Sequence, residues 1–233
     1  TLSLHDALPI SIQGGSVRIL TSYEGLEALF IDISGGTVDL VSGDDGMNAN
    51  GVEMFGPGFG GFGGGGAETL EEAECYLHIS GGLVHVNASG DGLDSNGLLL
   101  IDGGEIYVSG PTNSGNGALD SGTSAIVHGG VIIAVGASGM DESFDASSTQ
   151  MSIRHVFTVS IPGESRITLA DRSGEILIDF TPAKQFNSVV LSHPDLTLGE
   201  TYTLTCGDET AEIEITGMVT SNSRGFGGPG GGF

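Results

Sequence analysis

A Gly-Gly pair returns five times in this chain, each time inside the same phrase. The copies read Ile12-Gln-Gly-Gly-Ser-Val17, Ile33-Ser-Gly-Gly-Thr-Val38, Ile79-Ser-Gly-Gly-Leu-Val84, Ile101-Asp-Gly-Gly-Glu-Ile106 and Val127-His-Gly-Gly-Val-Ile132. Their first glycines are Gly14, Gly35, Gly81, Gly103 and Gly129. The period of about 22 residues, with β-branched residues around a glycine corner, points to one turn of a β-solenoid per copy. Two steps are longer, Gly35 to Gly81 and Gly103 to Gly129, and each reads as one period plus an insertion. A solenoid stacks equivalent positions, so a residue type that recurs at one position becomes a row.

The residues after each Gly-Gly alternate. Val17 and Ile19, Val38 and Leu40, Val84 and Val86, and Ile106 and Val108 are expected to point inward on a period of two. Arg18, Asp39, His85 and Tyr107 then point outward. A second apolar run precedes each pair, and a short third strand is expected near an acidic corner, giving a three-sided coil. The fold class expected is all-β: a right-handed parallel β-helix of about 22 residues per coil over residues 12–150. A Gly/Phe-rich insertion occupies 51–73 and reads as a loop. From 151 to 217 the pattern changes to short strands and hairpin turns, a small C-terminal antiparallel β module capping the solenoid. The stretch 218–233 reads as a disordered Gly-rich tail. Thr1–Ile10 resembles translated sequencing-adapter read-through, and 1–11 are expected to lie outside the fold.

Composition narrows the partners. The chain carries 30 Asp plus Glu against 6 Lys plus Arg, a formal net charge of −24. Phosphate contacts need basic residues, so nucleic acid is excluded as a partner class. Such acidity repels itself unless a bound cation offsets it. Cys75 and Cys206 are too few for a disulfide scaffold and too far apart for a zinc motif, and read as two isolated buried thiols. No apolar run is long enough to span a bilayer, so no transmembrane segment is expected, and the chain reads as a monomer.

The acidic residues recur in register. At the same distance after the second glycine of the first three repeats stand Glu24-Gly-Leu-Glu27, Asp45-Gly-Met-Asn48 and Asp91-Gly-Leu-Asp94. The fourth repeat offers Asn116-Gly-Ala-Leu-Asp120. Alignment gives one row of Glu24, Asp45, Asp91 and Asn116, and a second of Glu27, Asn48, Asp94 and Asp120, with Asp44 beside them. Parallel strands lie about 4.8 Å apart, so these carboxylates repel. Calcium relieves the conflict with six to eight oxygen ligands. The absence of imidazole and thiolate in these rows disfavours zinc or copper. The bland alternative is that Asp-Gly and Asn-Gly are turn formers; recurrence in register favours the metal.

The outward column, above all Asp39, His85 and Tyr107, could lie along a polysaccharide, with Tyr107 stacking on a sugar ring. The motifs Asp44-Asp-Gly-Met-Asn-Ala49, Asp91-Gly-Leu-Asp-Ser-Asn-Gly97, Ser109-Gly-Pro-Thr-Asn-Ser-Gly-Asn-Gly-Ala-Leu-Asp120, Ser188-Val-Val-Leu-Ser-His-Pro-Asp-Leu196 and Gly199-Glu-Thr-Tyr-Thr-Leu204 resemble a bacterial carbohydrate-binding domain family built as a pectate-lyase-like parallel β-helix. The resemblance spans roughly 12–217. It implies a secreted or surface-anchored, calcium-binding protein that holds plant cell-wall polysaccharide, polygalacturonate or cellulose-like, without cleaving it. It also implies that the Asp-Asp-Gly-Met-Asn and Asp-Gly-Leu-Asp copies supply calcium ligands. Glu24 and Glu27 depart from that pattern. A calcium-dependent lyase is the rival; it needs a basic residue beside the acidic rows, and only Arg18 lies within the coils. Hydrolysis by Asp91 or Asp94 with Asp120 needs fewer parts, but catalysis needs one pair and not a ladder. A calcium-stiffened structural surface protein is the third reading.

Overall fold

The computed structural model describes residues 9–50, 70 and 73–223. The described residues are all-β, with no helix. Three sheets carry the fold. The largest begins with parallel strands β1 (Ile10–Ser22), β3 (Phe30–Ser42), β5 (Tyr76–Ala88), β7 (Leu98–Ser109) and β10 (Val131–Gly136). The short strand β9 (Ser124–Val127) also pairs with β7. A second sheet, also parallel, stacks the short strands β2 (Leu26–Ala28), β4 (Met47–Ala49), β6 (Leu93–Ser95) and β8 (Leu119–Ser121).

Each long strand runs through its Gly-Gly without leaving the sheet, so the two apolar runs of a repeat belong to one strand. The register shifts at that point in the β1–β3, β3–β5 and β5–β7 pairs. The second glycine of every pair has positive φ, from +78° at Gly15 to +98° at Gly104 and Gly130, a conformation that side chains with a Cβ rarely adopt. Across the strands Ile10 pairs with Ile31, Phe30 with Tyr76, Tyr76 with Leu98, and Leu98 with Ser124. These intervals along the chain equal those between successive glycine pairs, the two long steps included. Between the two parallel sheets lies the first core, where Val38, Leu40, Val84, Val86, Ile106 and Val108 are all buried, with Met47, Leu93 and Leu119 opposite.

The outer side of the large sheet also carries a polar chain. Tyr76 donates to Asp32 at 2.9 Å, and the His78 ring lies 3.1 Å from Asp32 and 3.0 Å from Asp102. Asp102 in turn reaches His128 at 2.9 Å. Neighbouring strands are thereby stitched together by side chains as well as by the backbone ladder.

Beyond β10 the large sheet turns antiparallel. Strand β14 (Phe186–Ser192) pairs with β10, and β11 (Ser152–Ile161) pairs with β14. The third sheet is antiparallel throughout, in the order β13 (Ile176–Phe180), β12 (Ile167–Ala170), β15 (Thr201–Cys206), β16 (Glu209–Glu214). The expected turns at Asp171–Gly174 and Cys206–Glu209 connect β12 to β13 and β15 to β16. A second core joins Ile133 and Val135 of β10 to Val189, Ile167, Leu169 and Leu204. Cys75 and Cys206 are buried and form no disulfide.

Two boundaries differ from expectation. β1 already pairs at Ile10 with Ile31, because Ile10 and Ile12 continue the inward alternation. Val219–Ser221, expected in the tail, forms β17 beside β11. The buried Arg154 draws it in, donating to Ser221 and Ser223 while holding Asp141 through two bonds of 2.8 and 2.9 Å. Within the expected insertion at 51–73, only Leu70 and Ala73 are among the described residues.

Three of the four short strands are entered at a glycine, Gly25, Gly46 and Gly92, where a Cβ would collide with the neighbouring chain; β8 is entered at Ala118. A methyl on Gly46 or Gly92 would collide with the carbonyl oxygen of the next strand, whereas one on Gly43 would meet only the Ser22 oxygen at 3.5 Å. Gly92→Ala is expected to cost about 1–3 kcal/mol of unfolding free energy, and Gly43→Ala much less, in paired denaturant titrations.

Candidate metal centre

The acidic rows stand where the parallel register puts them. Glu27 pairs with Asn48, Asn48 with Asp94, and Asp94 with Asp120. The first row is fixed by backbone bonds from Gly25 to Asp45, Gly46 to Asp91 and Gly92 to Gly117, at 3.0, 2.8 and 3.1 Å. Glu24, Asp45 and Asp91 are therefore level. Asn116 is not: Gly117 takes that place, because the fourth corner has one more residue before Asp120. The Gly117 amide donates to Asp91 Oδ1 at 2.5 Å, and the Asp91 amide to Asp45 Oδ1 at 2.7 Å.

Asp45, Asp91 and Asp94 each present an oxygen within 4.8 Å of the others. Two unit charges at that distance repel by about 3 kcal/mol at an effective dielectric near 20. Asn48 bridges by donating to Asp45 Oδ2 at 3.1 Å, but its own Oδ1 is buried without a partner. Glu24 Oε2 is likewise buried and unsatisfied. Asp44 stands beside the cluster, and a Cβ on Gly90 would collide with Oδ1 of both Asp44 and Asp45. Glycine there keeps the carboxylates' space clear. Glu27 is exposed at the end of its row.

Burial, and then neighbouring carboxylates, disfavours ionisation of the more enclosed carboxyls of the corner. Burial first pushes Asp94 up to about 8 and Asp91 up to about 7, with Asp120 adding to both. Burial and then Asp45 raise Glu24 to about 7. Asp45 and Asp120 are raised too, with burial the main cause. Sequence reading missed Glu142, which extends the second row beyond Asp120. Its Oε2 accepts from the amide and hydroxyl of Ser121 at 3.0 and 2.9 Å. Burial and then Asp120 push Glu142 up to about 7. The fifth glycine pair does announce this rung, because Glu142 follows Gly130 at the same interval of twelve residues by which Glu27, Asn48 and Asp94 follow Gly15, Gly36 and Gly82. The signal is broken at the first row, where Gly139 stands in place of an acidic residue, and Arg154 fixes the adjacent Asp141.

An all-oxygen donor set, two buried acceptors lacking any donor, and a cleared space fit a hard divalent cation. Asp45, Asp91, Asp94 and Asn48 would hold it, with Glu24, Asp44 and Asp120 within the same corner.

The outward column is also in register, from Arg18 to Asp39 to His85 to Tyr107. Arg18 and Asp39 form an exposed pair at 3.2 Å. Tyr107, expected to stack on a sugar ring, already has aromatic neighbours. Its ring stacks on His85 at 4.9 Å and 13°, and Phe180 of β13 packs on it at 5.5 Å. Equivalent side chains of neighbouring parallel strands are too close for both rings to lie flat toward solvent. Arg18, Asp39 and the His85 edge remain polar groups of the column.

Compared with known proteins, the chain matches no family model, no curated protein and no solved structure. No helix among the described residues is long and apolar enough to cross a membrane.

The raised carboxyls make stability depend on pH. In chelator, carboxyls raised to about 7–8 keep protons in the folded state that the unfolded chain, with carboxyls near 4, has released. Stability therefore falls as pH rises from about 4 to 8. Calcium should reverse this, its melting shift growing over the same window and reaching about 2.7 kcal/mol at a hundred times its dissociation constant. Scanning calorimetry at pH 5 and pH 8, with and without calcium, checks both signs. Tyr107→Ala should cost about 1–3 kcal/mol through lost packing, read as a lower melting temperature with an unchanged calcium shift.

Proposed function

We propose that this chain is a non-catalytic, calcium-dependent polysaccharide-binding module, a right-handed parallel β-helix with coils of about 22 residues. The pairing of Ile10 with Ile31 and of Tyr76 with Leu98, each one repeat further along the chain, supports the coil. The observation that carries the function is the convergence of Asp45, Asp91 and Asp94 beside the orphaned Asn48 oxygen. Calcium there lets three carboxylates ionise together. It also retains coordination positions for oxygens of a sugar, including those of a uronate.

Binding rather than cleavage is favoured by the arrangement of the carboxylates. They form a ladder repeated over successive strands, with no acid–base pair set apart from it. The arginines of the described residues, Arg18, Arg154, Arg166 and Arg172, are all paired with carboxylates. The extracellular setting, secreted or anchored, follows from the polymer it would meet.

The test is retention of polygalacturonate and cellulose by the full chain, with calcium and with EDTA. Retention in calcium, its loss in EDTA, and no release of reducing or unsaturated ends are expected. Release of unsaturated uronides would establish a lyase instead; calcium-dependent melting with no glycan retained would leave a structural role.

A further inference from the structure

Lys184 is the one Lys or Arg among the described residues without an acidic partner. Arg18 pairs with Asp39, Arg154 with Asp141, Arg166 with Asp179 and Arg172 with Glu200. In a chain of net charge −24, an ammonium that meets no carboxylate is the exception that needs a reason.

Its position supplies one. Lys184 lies in the connection between β13 and β14, which reaches back to the ends of two parallel strands. The Ala183 amide donates to Ser109 Oγ of β7 at 3.1 Å, and the Lys184 ammonium donates to the carbonyl of Ala88, the last residue of β5. The chain leaving Ala88 leads directly through Ser89 and Gly90 to Asp91 of the metal centre. His85 and Asn87 alternate with the buried Val86 and Ala88 on β5 and so share its outward side. The ammonium is half-buried, and burial pulls it down to about 8. An ammonium has three N–H donors, and among the described residues only the Ala88 carbonyl takes one. A partly desolvated cation with donors to spare is unfavourable unless an anion meets it.

We infer that Lys184 recognises the carboxylate of a uronate unit in a polysaccharide lying over the end of β5, beside the metal corner. This rests on the polysaccharide-binding reading above and adds the group that selects acidic over neutral sugar. The calcium would hold one unit while Lys184 forms a charge-assisted bond to another. His85 and Asn87 offer hydrogen bonds to intervening hydroxyls. An oligomer longer than one sugar is required, because the ammonium and the carboxylate cluster are separate groups on the same rim.

The probe is trigalacturonate, titrated into the full calcium-loaded chain by NMR beside its methyl ester. Lys184→Met and Lys184→Gln should each weaken trigalacturonate about tenfold and leave the methyl ester unchanged; Lys184→Arg should restore most of the loss. Lys184→Gln keeps a donor for Ala88, so a melting temperature near wild type shows that the fold is intact. Equal trigalacturonate affinity in wild type and both neutral variants would overturn the inference while leaving the binding reading standing. Equal losses for the acid and its ester would also overturn it, making Lys184 a structural tie. No saturation by wild type with either probe would overturn the inference, and would overturn the polysaccharide reading too only if cellulose is also not retained in calcium.

Discussion

Parallel register forces like charges together here, and the rest of the structure is arranged around that fact. Once Leu26, Met47, Leu93 and Leu119 are stacked as the inward residues of the short sheet, the acidic residues one position on have no freedom to separate. The same stacking places glycine before β2, β4 and β6, since a Cβ on Gly25, Gly46 or Gly92 would collide with the carbonyl of the residue that enters the next strand. Apolar burial thus holds the carboxylates at distances they would not choose. The raised carboxyls of Glu24, Asp91, Asp94 and Glu142 are the electrostatic imprint of that compromise. On the proposed reading, a hard dication would replace protons as the partner at neutral pH and couple the fold's stability to the ion.

The outer side of the molecule answers a different requirement. The large sheet cannot end at β10 with its outer face bare, so β14 and β11 extend it while the antiparallel sheet covers Ile133 and Val135. That cover reaches Tyr107 through Phe180 and β5 through Lys184. One cap thereby buries the last parallel strand and brings a cation to the rim of an acidic surface.

Much of this was legible in the sequence because the repeat carries it. The glycine spacing set the strand register, and the Asp-Gly-Leu-Asp phrases placed the second row through Glu27, Asn48, Asp94 and Asp120. Where the phrase stretched, counting failed: Asn116 lies one position away from its expected level because the fourth corner is longer. Glu142 escaped notice although it holds the second-row position after the fifth glycine pair, because Gly139 stands where the earlier copies carry Glu24, Asp45 and Asp91 and the phrase is no longer recognisable. Tyr107 was correctly placed as outward, but a period of two says nothing about which distant segment covers an outward ring. Nothing in the repeat pattern singles out Lys184, because its bond to Ala88 joins segments far apart in the chain.

Proton release on calcium binding tests the central claim most directly. Calorimetric titration of the full chain at pH 7, repeated in two buffers of different ionisation enthalpy, reads the protons displaced per ion bound. Saturable binding with net proton release, both largely abolished by Asp94→Asn, is the expected result. Absence of binding, or binding with no proton displaced and undiminished in Asp94→Asn, would contradict it.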